Sequence, residues 1–207
     1  IRAMVNQAFA KDLNASGDYK KDKVFYDKIG SYTNWSVVGE FQNISGSGFN
    51  KEFGPLDNAS ASAEFKNVNG ATVKWFTPPM FRLDRWIDLE FNFYTGNRTI
   101  YAQTFVKSDG DKEVQLRFGV SGSIKVYVND HEVISEEEDA NNDYDNYNVK
   151  LKLSSGWNRI LVKVGEHEAN SCNFLMRITD DNGNPISLES KAEPQTYTKK
   201  KVDYTAV

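Results

Sequence analysis

The densest run of side chains able to do chemistry lies between Glu136 and Asn146, EEEDANNDYDN, where carboxylates, amide oxygens and backbone carbonyls crowd one short stretch. A hard cation such as calcium takes about six to eight oxygens of these kinds. Asp139, Asp143 and Asp145 are the candidate ligands. The run lacks the ligand order and the glycine of an EF-hand, so it matches a calcium loop by composition only, and a solvated charge run has the same composition. Aromatic residues near loops offer a second chemistry, because a sugar ring stacks on an exposed aromatic face while a few polar groups fix its orientation. Tyr144 and Tyr147 lie in or beside the acidic run, and Trp75, Phe81 and Trp86 flank Pro78-Pro79. Binding residues gather on loops at the ends of a sandwich, which makes Trp75, Trp86, Tyr144 and Tyr147 the candidate ligand contacts. Trp75 also alternates in register with Val73, a pattern that fits a core position equally well.

Catalysis finds less support. A glycosidase needs two carboxylates at roughly 5–9.5 Å across one bond. Asp88 and Glu90 in IDLEF share a strand face, but alternation turns that face to solvent. His131 and His167 sit in polar turns without a nucleophile elbow. Two histidines and the single Cys172 are too few for a zinc site or a disulfide framework. No catalytic residue is assigned.

The elements that must position these groups are mostly strands. Aromatics make up 13% of the chain, and Phe and Tyr favour pleated surfaces. Ile1, Met4, Val5, Ala8 and Phe9 recur at helical spacing, and Asp18 caps a second run through Val24, Phe25 and Ile29, which predicts two short helices over residues 1–30. These are either the end of a preceding helical region or a strap across the strands. Asn69-Gly70 predicts a hairpin between Ala61–Lys66 and Thr72–Thr77. Ile87 to Tyr94 alternates as a half-buried strand, and Thr99 to Lys107 is a longer one. Ser121-Gly122 and Asn129-Asp130 are expected to be turns separating three strands. Beyond the acidic loop come strands at Asn148–Leu153, Trp157–Val164 and Cys172–Thr179. Turns at this spacing predict an all-β antiparallel sandwich over 31–189, with a polar, loosely held tail over 190–207.

The net charge of −4 gives no general attraction to phosphate backbones, so nucleic acid is not an expected partner. No stretch approaches the roughly 20 apolar residues that span a bilayer as a helix.

The order of strands carries a resemblance. Val126-Tyr127-Val128-Asn129-Asp130-His131-Glu132-Val133 resembles a V-W-V-N-G-x-x-V hairpin, and Leu151 to Val164, LKLSSGWNRILVKV, is similar to an L-K-x-G-W-N-x-L-L-V-K-V strand pair. Both patterns are found in galactose-binding-like jelly-roll domains, including the non-catalytic sugar-binding domains of β-galactosidase-like hydrolases. Upstream, Trp35 to Asn43, WSVVGEFQN, with Gly48-Phe49 and Pro55, resembles the first strand of bacterial versions of this module. The chain departs from those patterns with Glu40 in place of proline and Asp130 in place of glycine. The resemblance spans about residues 35–188 and implies a jelly-roll sandwich. It also implies a non-catalytic accessory module of a larger bacterial exported protein, at the periplasm, the cell surface or outside the cell. Its partners would be carbohydrate or neighbouring domains of the same polypeptide; a structural spacer or protein-interaction domain without a sugar ligand is the alternative. The matching residues build scaffold, so no ligand is carried over.

Overall fold

Gly122 decides the architecture. The sequence reads as two strands separated by a Ser121-Gly122 turn, whereas the computed structural model holds one continuous 17-residue strand there, Lys112–Val128. Gly122 has φ +109°, a backbone region that side-chain-bearing residues rarely adopt, and its Cα lies so close to Gly165 that a Cβ would meet the Gly165 carbonyl oxygen at 2.3 Å. The chain bends at this point and does not reverse. The structure describes residues 1–79, 82–93, 96–141, 143–167 and 171–207.

In chain order the elements are α1 (Arg2–Ala15), α2 (Tyr19–Ile29), β1 (Ser36–Gln42), β2 (Phe65–Lys66), β3 (Thr72–Val73), β4 (Ile87–Asp88), β5 (Arg98–Ser108) and β6 (Lys112–Val128). They continue with β7 (His131–Asn141), β8 (Tyr147–Leu153), β9 (Gly156–Glu166), β10 (Asn173–Thr179), β11 (Glu189–Lys191) and β12 (Tyr204–Ala206). The first half of β6 pairs with β8 and β10, and the second half with β7 and β9. All of these pairs are antiparallel, so one bent strand serves two layers. From β9 the second layer continues through β5 to β1. Val114, Leu116, Phe118 and Val120 before the bend, and Ile124, Val126 and Val128 after it, are buried in one core. Val149 and Leu151 of β8, Val162 and Val164 of β9, and Phe174 and Met176 of β10 join them there. Each fully buried side chain of this size stabilises by about 1.5–3 kcal/mol. The architecture is the expected all-β antiparallel jelly-roll sandwich with a helical N-terminal segment.

Both helices form where the apolar spacing places them. Asp18 caps α2, its carboxylate accepting from the Lys21 N–H at 3.3 Å, and Gly30 ends it at φ +77°. They pack on the sandwich through Ala3, Ala10, Tyr26 and Ile29, against Trp86, Tyr144 and Leu175. The larger apolar residues of α1 behave otherwise. Met4, Val5 and Phe9 are exposed, because the close contact is made by alanines.

Three further expectations change. Glu136 to Asn141, expected as loop, belongs to β7, since its backbone pairs with β6 and that pairing overrides the low strand propensity of glutamate. The strand expected from Ile87 to Tyr94 stops at Asp88; Leu89 then accepts N–H bonds from Asn92 and Phe93, which closes a turn and leaves Phe91 exposed. Phe81, Tyr94 and Asn142 lie outside the described residues. The tail is tied down. β11 pairs with β5, β12 pairs with β8, and Val202 is buried in the main core.

Candidate functional site

Three of the four aromatic residues singled out in the sequence are core. Trp75 is 7% exposed, edge-on to Phe65 at 6.1 Å, with its indole N–H donating to the Asn58 carbonyl at 3.2 Å. Trp86 and Tyr144 are 3% and 8% exposed and meet each other at 5.5 Å beneath the helices. Burial pushes the Tyr144 hydroxyl up to about 12. Rings enclosed in this way present no face to a sugar. Tyr147 is partly buried and packs against the main core.

The acidic candidates are also dispersed. Asp145 takes a two-point hydrogen bond from Arg177, both contacts at 3.0 Å, while the same guanidinium donates to the Ile29 carbonyl. That carboxylate holds a turn against the end of α2. Asp139 faces His167, 3.4 Å from its Nδ1, and accepts from its N–H at 3.2 Å. Asp143 is exposed. The three carboxylates form no common coordination shell, and no group of three metal-ligating side chains occurs among the described residues.

A different groove has the composition that sugar binding requires. It begins at a β-bulge: Val38 pairs with Tyr101 and Phe41 with Thr99, so Gly39 and Glu40 together face one residue of β5. The β2–β3 hairpin docks on this edge. The Val68 N–H donates to the Glu40 carbonyl at 2.9 Å, and Phe76 and Val37 exchange two backbone bonds of 2.7 and 3.0 Å. Trp75 points into the sandwich side of the hairpin, and alternation turns Phe76 the other way. The result is a groove of about 360 Å³ lined by Glu40, Asn67, Lys74, Phe76, Asn92 and Phe93, among others. Its volume lies within the range of small-ligand pockets.

The groove is aromatic on one side and polar on the other. Phe76 is 41% exposed, and its ring lies 5.6 Å from that of Phe93 at 51°. The Asn67 side-chain oxygen accepts from the N–H groups of Asn69 and Ala71, which leaves its NH₂ as the end able to donate. Lys74 pairs with Glu64 at 2.8 Å. Glu40 differs from all of these, since its Oε2 is out of solvent and has no hydrogen-bond partner among the described residues. Leaving a buried acceptor unmet costs about 1–3 kcal/mol, which a donor supplied by a ligand would recover. A larger cavity of about 380 Å³ beside β8 and β12 is lined by Lys150, Lys152, Lys200 and Lys201 together with acids. Lys150 and Lys152 there are already paired, with Asp181 and Asp111.

The outer face of the β5–β9 layer is closed by residues 49–56. Arg159, 1% exposed, donates to Gln103 at 3.0 Å, to the carbonyls of Pro55 and Leu56 at 2.7 and 2.8 Å, and to Asp130 at 2.9 Å. Asp130 in turn accepts from the Tyr197 hydroxyl and pairs with Lys199. The aspartate that replaces the glycine of the family pattern thus anchors the tail. Lys163 donates to the carbonyls of Phe49 and Lys51 at 2.7 and 2.6 Å. Burial lowers its pKa from 10.5 to about 8. Below pH 8 the amine is charged in the folded and unfolded chain alike; between about 8 and 10.5 only the unfolded chain holds the proton, so stability rises with pH across that window. Chemical denaturation from pH 7.5 to 9.5 should therefore show a stability gain in the wild type that Lys163→Met lacks. Equal slopes would contradict the burial of that charge.

No protein-family model and no curated protein matches the chain. Among solved structures, the chain is similar to a β-glucosidase from Kluyveromyces marxianus in complex with glucose, at 17% identity and a TM-score of 0.36, over 48% of this chain and 14% of that one. It is similar to an anti-sigma factor domain-containing protein from Clostridium clariflavum at 14% identity and a TM-score of 0.38, over 80% and 49% of the two chains. A family 35 carbohydrate binding module from an environmental isolate aligns at 20% identity and a TM-score of 0.28, over 45% and 73%. Likeness at this level carries no argument about function, and the sandwich stands on its own strand pairing.

Proposed function

We propose that the chain is a non-catalytic carbohydrate-binding module and that the Glu40–Phe76–Phe93 groove holds the sugar. One observation carries this reading: two neighbouring rings, one of them 41% exposed, stand over a groove whose Glu40 carboxylate oxygen lacks a donor among the described residues. A pyranose offers an apolar face to such rings and hydroxyl donors to such an oxygen. The wider setting, an accessory part of a larger exported bacterial protein, rests on the sequence resemblance. A second reading is a protein-interaction domain, favoured by Met4, Val5, Phe9 and Val24, each about half exposed on the helices.

A glycan array separates the two. The wild type should retain at least one class of oligosaccharide. Phe76→Ala should weaken that binding by about tenfold or more, the loss expected for a stacking ring. Its effect on stability should stay within about 1 kcal/mol because the ring is half exposed. No retained glycan would leave the interaction reading ahead.

A further inference from the structure

Resting on that reading of the groove, we infer that Glu40 makes the site selective for uncharged sugars over sugar acids. Among the charged side chains lining the groove, Lys74 has its ammonium 2.8 Å from Glu64, so the cation is compensated, while the Oε2 of Glu40 has no donor among the described residues. The balance across Glu40, Lys74 and Glu64 is one negative charge. The groove's amides, Asn67 and Asn92, add donors and acceptors without altering that charge. A neutral unit brings hydroxyls that donate to Glu40. A uronate, sulfated or phosphorylated unit brings a second anion into a partly desolvated space, where like charges repel more strongly than in water. The β-bulge at Gly39–Glu40 fixes this carboxylate to the rim of the groove, with the Glu40 carbonyl held by Val68.

The test uses matched pairs differing only at C6, oligosaccharides ending in glucose or glucuronate and in galactose or galacturonate. Titration calorimetry follows their binding to the wild type and to Glu40→Gln, which keeps the shape and removes the charge. The wild type should prefer the neutral member of the pair it binds by about tenfold at low salt, and less at high salt. Glu40→Gln should reduce that preference to about threefold or below, chiefly by gaining affinity for the acid. Equal or tighter binding of the acid by the wild type, or an unchanged ratio in Glu40→Gln, overturns the inference while leaving the groove as a sugar site. Binding of neither member, by a variant series that retains the wild-type melting temperature, overturns the reading of the groove itself.

Discussion

Replacing Arg159 with methionine should lower the free energy of unfolding by roughly 3–5 kcal/mol, the range found when one partner of a buried ion pair is removed. The guanidinium is the common partner of four separate segments: Gln103 on β5, the carbonyls of Pro55 and Leu56, Asp130 at the β6–β7 turn, and through Asp130 the hydroxyl of Tyr197. Methionine has similar bulk but no donors, so two backbone carbonyls and a carboxylate lose hydrogen bonds without gaining water. Lysine keeps the charge and cannot reproduce the fork, so Arg159→Lys should recover only part of the loss. Urea denaturation measures both. A loss below about 1 kcal/mol for methionine would mean that the residues over β5 and β9 are held by their apolar contacts alone.

Gly122→Ala should cost about 3–4 kcal/mol, which for a domain of this size is a fall of about 10 °C in melting temperature. Two independent penalties coincide at this position: φ of +109° excludes an L side chain, and the added methyl group would stand 2.3 Å from the Gly165 carbonyl oxygen. Neither neighbour yields easily, since the obstacle is backbone in β9 and the angle is what carries β6 from one layer to the other. Gly110→Ala is the control, because a Cβ there meets nothing within 4 Å. A calorimetric scan of the two variants should show a large fall for Gly122→Ala and little change for Gly110→Ala. Similar melting temperatures would contradict the bend as the organising feature of the sandwich.

These two positions also show what the sequence discloses. Local signals are legible: the Asp18 cap, the Asn69-Gly70 hairpin, and the long alternating runs that form β5, β9 and β10. Gly122 reads as a turn because a turn and a corner both call for an unusual glycine angle, and only the distant Gly165 distinguishes them. Trp86 and Tyr144 are visible as aromatics, but the helices that cover them come from residues 1–29, and nothing local records that contact. Charge obscures β7, where three consecutive exposed glutamates occupy a strand at the sheet's edge, a place where charge discourages pairing with other chains. The groove has a partial signal. Once Trp75 is placed in register with Val73, alternation turns Phe76 outward, and Glu40 stands out as the residue in place of the family's proline. That the bulge, the hairpin and the turn at Asn92-Phe93 converge is a property of the fold, and no spacing in the chain contains it.

Backbone chemical-shift mapping by NMR, titrating the oligosaccharide that binds most tightly on the array, tests the sugar-binding groove most directly. The predicted result is a saturable set of shifts concentrated on Gly39, Glu40, Asn67, Lys74, Phe76, Asn92 and Phe93, absent in Phe76→Ala. Shifts centred elsewhere, on the lysine-lined cavity beside β8 and β12 for example, or no saturable shifts with any glycan, would contradict it.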